Sequence, residues 1–141
     1  MQLEVADLIE LGQNRLPGYL GIEVDGIEDG HSSMHLDLRD EHMAPNGYLH
    51  AGTVVTLADS ACGYGCIMSL PDGAAGFTTI ELKSNHLGTA RDGTIECHAT
   101  AAHLGKTTQV WDSVVTHRET GKTLALFRCT QMVLYARTAT T

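Results

Sequence analysis

A chain of 141 residues with 43% hydrophobic side chains is long enough to bury one core, so residues 1–141 read as a single domain. The net charge of −8 at pH 7 excludes a nucleic-acid partner, because phosphate binding needs a basic surface; residues 1–42 hold ten acids and two bases, residues 43–141 seven of each. Four cysteines with no C-x-x-C pair exclude a zinc ribbon or redox motif, and the acidic N-terminus (Glu4, Asp7, Glu10) is unlike a secretory leader, so a reducing, cytoplasmic setting is expected.

In chain order, Leu3 to Arg15 places apolar residues at 3, 5, 8, 9 and 11, a helical spacing, with Gly12 near its end and Pro17 beyond it. An N-terminal helix within 1–16 is therefore expected. Residues 19–28 and 31–39 read as two strands joined at Asp29-Gly30, the second alternating Met34, Leu36 and Leu38 with His35, Asp37 and Arg39. A loop follows over 40–49, with Pro45 and Asn46-Gly47. Residues 50–70 read as one helix of small and apolar side chains, stopped by Pro71-Asp72-Gly73. Cys62 and Cys66, four apart, suit packing on one face of that helix. Four strand-like runs come next, near 77–86, 93–103, 107–118 and 123–135, and their short links fit an antiparallel meander. A polar tail over 137–141 is expected to fray.

This order predicts an α+β fold. A helix that is apolar almost all round must be wrapped, and a curved antiparallel sheet is the available partner. The helix carries an acid, several hydroxyls and three glycines, so it falls short of a membrane span and no membrane partner is expected.

Across the 29 residues from Met43 to Pro71, Asp59 is the only fixed charge. A carboxylate on a core-facing helix is costly unless it is paired or faces a cavity, and such groups concentrate at functional sites. An aspartate reaching the surface along a stripe of Thr56, Ser60 and Gly63 would explain the same spacing, so spacing alone leaves the two readings level. At the start of the helix, His50-Ala51-Gly52 follows a glycine-containing loop, and the N–H groups of Ala51 and Gly52 lack intrahelical acceptors. They are candidate donors to a carbonyl oxygen that gains negative charge. Nine residues separate His50 from Asp59, roughly 13.5 Å along a helix. The two cannot serve one carbonyl within a single chain. Two antiparallel copies of the helix about a two-fold axis could bring them together.

Gly47-Tyr48-Leu49-His50-Ala51-Gly52, followed by an acid at position 59, resembles the G-x-x-H-G-G…(D/E) signature of hotdog-fold thioesterases. Ile80-Glu81-Leu82-Lys83-Ser84-Asn85-His86, and His103-Leu104-Gly105-Lys106 through Trp111, resemble strand motifs of one branch. That branch includes 4-hydroxybenzoyl-CoA, dihydroxynaphthoyl-CoA and enterobactin-pathway thioesterases; phenylacetate-pathway thioesterases are close relatives that typically carry Asp at the helix position. The likeness covers roughly residues 18–135.

The resemblance implies a hotdog fold and an acyl-CoA thioesterase acting on a small aryl or arylacetyl thioester. It implies no cofactor, coenzyme A being part of the substrate, and a homodimer at minimum, with a homotetramer expected. Asp59 would be nucleophile or general base, and the N–H of Ala51, with Gly52 alongside, the oxyanion hole. His50 would orient the loop or the thioester. His86 would line the acyl pocket, Thr79 would position water, and Arg91 and Lys106 would meet the phosphates of coenzyme A. Three positions depart from the pattern. Ala44 stands six before the histidine, where many members have Gln or Asn, and Asn46 is the candidate substitute. Position 51 is Ala where Gly is usual, and position 63 is Gly where some relatives carry a hydroxyl. Met34, Met43, Tyr64, Met68 and Phe77 are expected to shape the acyl pocket.

Eight histidines give neither an i, i+4 helical pair nor a Cys/His cluster, so no metal is expected. No G-x-S-x-G elbow occurs. Two rival readings remain: a hotdog enoyl-CoA hydratase or dehydratase, and a non-catalytic acyl-CoA-binding module.

Overall fold

The structure, a computed structural model, describes residues 3–137; most of the tail expected to fray, residues 138–141, lies outside them. Two short helices open the chain, α1 (Val5–Gln13) and α2 (Leu16–Leu20), followed by strands β1 (Glu23–Glu28) and β2 (His31–Asp37). A 3-10 turn at Asp40–His42 leads to the long helix α3 (Ala51–Met68). Strands β3 (Ala74–His86), β4 (Thr94–Leu104), β5 (Thr108–His117) and β6 (Thr123–Tyr135) complete it.

The strand expected from residue 19 begins only at Glu23, because Pro17 starts a helix rather than ending one. Proline's fixed φ suits the first turn of α2, and Gly21, in the left-handed region at φ 87°, closes it. The six strands form one antiparallel sheet in the order β1-β2-β4-β5-β6-β3. The meander therefore holds for β4 to β6 and fails for β3. That strand pairs with β6, and the free side of β4 is taken by β2. The link from β3 to β4 crosses the start of β6, where the Leu87 and Gly88 N–H groups donate to the Leu124 carbonyl.

One face of the sheet packs on α3. Met34, Leu36, Ile95, Cys97, Trp111 and Cys129 alternate inward at 0–1% exposure and meet Leu57, Ala58, Ala61 and Cys62 of the helix. Small helix residues set the approach distance. A Cβ added at Gly65 would come within 2.6 Å of the Trp111 ring, so the glycine is what lets the indole lie on the helix. The Trp111 Nε1–H donates to Gln109 Oε1, and Gln109 Nε2 donates in turn to the Ser69 carbonyl at the end of α3. The four cysteines are buried free thiols; burial pushes those of Cys66 and Cys97 up to about 12, as packing residues rather than nucleophiles require. No helix among the described residues is long and apolar enough to cross a membrane.

Candidate active site

The loop before α3 is built around His42, which is fully buried. Its Nδ1 accepts from the Arg39 N–H at 3.0 Å, so the ring proton sits on Nε2, which donates to the Leu20 carbonyl at 2.7 Å. The His42 carbonyl accepts from the His50 N–H at 3.1 Å and from the Thr53 hydroxyl at 2.9 Å. One residue thus ties the end of α2 to the start of α3. Between 43 and 49 the chain folds back on itself, with a bridge from Met43 to Leu49 and Gly47 in the left-handed region at φ 84°. Asn46 closes this turn, its Oδ1 accepting from the Tyr48 N–H at 3.1 Å.

His50 is the N-cap of α3, and its Nδ1 accepts from the Gly52 N–H at 2.7 Å. Its carbonyl accepts from the N–H groups of Thr53 and Val54. The Ala51 N–H has no partner among the described residues and lies on exposed backbone at the positive end of the helix dipole. The expected donor pair is thus reduced to one. The cap consumes the Gly52 N–H, which leaves Ala51 as the available amide, with His50 Nε2–H as a second donor beside it.

Asp59 lies two and a half turns further along α3 and faces a cavity of about 370 Å³. Leu16 and Pro17 of α2, Val55, Tyr64 and Ile67 of α3, and Phe77 of β3 supply its apolar walls. The Asp59 Oδ1 is buried with no hydrogen-bond partner, and desolvation raises the carboxyl above its ordinary value of 3.8. The neighbouring Thr56 hydroxyl is occupied with the Gly52 carbonyl, 2.8 Å away. An unpaired carboxylate beside an open apolar space can attack an electrophile or take a proton from water. Thr56, Ser60 and Gly63, the polar stripe beside Asp59, line the same cavity.

The other candidates are spread widely. Thr79 sits two residues beyond Phe77 on β3, opposite Gln131, and does not line the Asp59 cavity. His86 ends the same strand in an exposed position. The Arg91 guanidinium stacks 4.4 Å from the centre of the Tyr48 ring, beside the α3 loop, and the Thr89 hydroxyl accepts from the Leu49 N–H nearby. Lys106 occupies the turn after β4, with its carbonyl accepting from the Tyr135 hydroxyl. Arg91 and Lys106 flank opposite ends of β4, about 36 Å of strand apart at roughly 3.3 Å per residue. A single chain does not bring them together. Sequence reasoning missed the wall contributed by α2 and the tether through His42. Both depend on contacts with residues 16–20, and no local pattern announces them.

The profile of the thioesterase superfamily matches residues 46–125. A 1,4-dihydroxy-2-naphthoyl-CoA hydrolase of Listeria monocytogenes is 37% identical over 111 residues, covering 79% of this chain and 89% of that protein. The Escherichia coli protein of the same name is 30% identical, covering 88% of this chain and 90% of its own. Among solved structures, a mutant thioesterase from Pseudomonas aeruginosa superposes with a TM-score of 0.86 at 28% identity, over 95% of this chain and 96% of its own. The six-stranded antiparallel sheet packed on α3 is the hotdog architecture expected from the residues around His50.

Proposed function

The chain belongs to the thioesterase superfamily and is a thioester hydrolase, and on that footing we propose that it cleaves the CoA thioester of a small aryl or arylacetyl acid, with Asp59 as the reacting carboxylate. The observation that carries this reading is the unpaired, desolvated Asp59 oxygen in an apolar cavity on the central helix. The names of the two naphthoyl-CoA hydrolases support an aryl acyl group, and so do the cavity's apolar walls.

The Ala51 N–H polarises the thioester carbonyl and holds the oxyanion as it forms. Asp59 then attacks the carbonyl carbon, expelling coenzyme A as thiolate and leaving a mixed anhydride that water opens. In the alternative sequence it removes a proton from water, whose oxygen attacks the same carbon. Both routes end in the free acid and coenzyme A. His50 Nε2–H and the Asn46 turn hold the loop against the thioester, while Thr79 and His86, which lie outside the Asp59 cavity of their own chain, position water and line the acyl pocket only across a subunit interface. Arg91 and Lys106 meet the phosphates of coenzyme A from different subunits.

Two subunits are needed for a further reason. His50 and Asp59 lie roughly 13.5 Å apart on one helix. A two-fold partner brings the Ala51 N–H of one copy to the Asp59 of the other. Edge strand β3, with Ile80 and Leu82 exposed at 53% and 44%, offers the surface for that pairing, and the apolar outer face (Val114, Leu126, Met132) suits a further step to a homotetramer.

Thiol release over a panel of acyl-CoA esters tests the assignment. Asp59→Asn is expected to lower kcat by about 10²–10⁴-fold on the best substrate. Near-full activity in that variant would remove Asp59 from the reaction.

A further inference from the structure

A second cavity, of about 460 Å³, lies beneath α1 and α2 and is the larger of the two. It does not reach Asp59. Ile9, Ile22, Val24 and Met34 give it apolar walls, and it shares two residues with the Asp59 cavity: Pro17 and Tyr64. Tyr64 therefore borders both spaces. The ring is held from behind by α1. Its hydroxyl lies so close to Gly12 that a Cβ at that position would collide with it, so a side chain there would force the ring to move. Gln13 and Glu23 also line the larger cavity, with the Glu23 carboxylate turned away to His35 Nε2, 2.9 Å distant on the other face of the sheet.

We infer that Tyr64 sets the length of the acyl group this chain accepts, and that the cavity behind it is an extension of the acyl pocket closed off by the phenol ring. This rests on the proposal that Asp59 acts on an acyl thioester. A short aryl or arylacetyl group fills the space between Asp59 and the ring. A longer chain must pass the ring to enter the apolar space under α1 and α2. The occupant of that space is an uncharged alkyl or arylalkyl chain.

The test measures kcat/KM for thiol release from phenylacetyl-, butyryl-, octanoyl- and dodecanoyl-CoA with wild type, Tyr64→Ala and the milder Tyr64→Leu. The dodecanoyl-to-phenylacetyl ratio is expected to rise by at least about tenfold in both variants, since burying two further methylenes suffices for that. Tyr64→Phe, which keeps the ring, is expected to hold the wild-type ratio. Ile22→Trp added to Tyr64→Ala refills the far cavity and should cancel the gain. An unchanged ratio in active Tyr64→Ala and Tyr64→Leu overturns the inference while leaving Asp59's role intact. Loss of all turnover in both variants, folded by circular dichroism, also overturns it, by giving the ring a task other than partition. Wild type that releases thiol from no ester removes the underlying reading, and this inference with it.

Discussion

The Asp59 carboxyl binds its proton more tightly in the folded chain than its ordinary value of 3.8 allows, because burial penalises the charged form. Between 3.8 and the raised value, the native state holds more protons than the unfolded state, so stability falls as pH rises through that window. The deficit persists at neutral pH. Asp59→Asn should therefore raise Tm at pH 7, and the gain should shrink as pH drops toward 3.8, which thermal melts across pH would check. The same shift moves the acid limb of the kcat/KM profile above 3.8, since the reacting form is the carboxylate. Ala51 permits a cleaner test of the other half of the site. It is the first residue of α3, and His50 before it is extended at φ −67° and ψ 130°, a conformation that tolerates a following proline. Ala51→Pro then removes one N–H and little else. We expect kcat to fall about 10²–10³-fold with Tm nearly unchanged. Asp59 and His50 stand out in the sequence as candidates because a lone charge and a small-residue helix start are local signals. That His50 itself uses up the Gly52 amide is not legible there, because a side-chain rotamer decides it.

Among the elements, the long helix and all of the last four strands follow directly from hydrophobic period and turn residues, while the start of β1 and the pairing of β3 do not. The exceptions share a cause. Pro17 marks either end of a helix equally well from its neighbours alone, and the partner of β3 is decided by β2 taking up the side of β4 that a meander would have given it. Contacts between α2 and the α3 loop are equally non-local and run through His42. Replacing it with Ala leaves the part-buried Leu20 carbonyl and Arg39 N–H without their protein partner, a cost of about 1 kcal/mol each. A lowered Tm is expected, together with a drop in kcat/KM, since Leu16 and Pro17 of α2 form one wall of the Asp59 cavity. A variant with normal Tm and activity would show that α2 is held by its own packing.

For the whole molecule, the decisive distance is the one between Ala51 and Asp59 along α3. If each site takes its amide from one subunit and its carboxylate from the other, Ala51→Pro and Asp59→Asn should complement. In a statistical mixture half the dimers pair the two variants, and each of those holds one intact site of two. About a quarter of wild-type activity should return on co-expression, from two chains that are inactive alone. No recovery would show that the Ala51 amide and the Asp59 carboxylate do not act in one shared site. The position of β3 has a consequence in time as well as in space. Phe77, a wall of the Asp59 cavity, lies on a strand whose ladder runs to β6, with partners from Ala125 to Tyr135. A nascent chain emerging from the ribosome has made Asp59 and Phe77 long before it has made the strand that fixes the wall. The cavity therefore closes last, and a chain stalled short of β6 carries its reactive carboxylate in an unfinished shell.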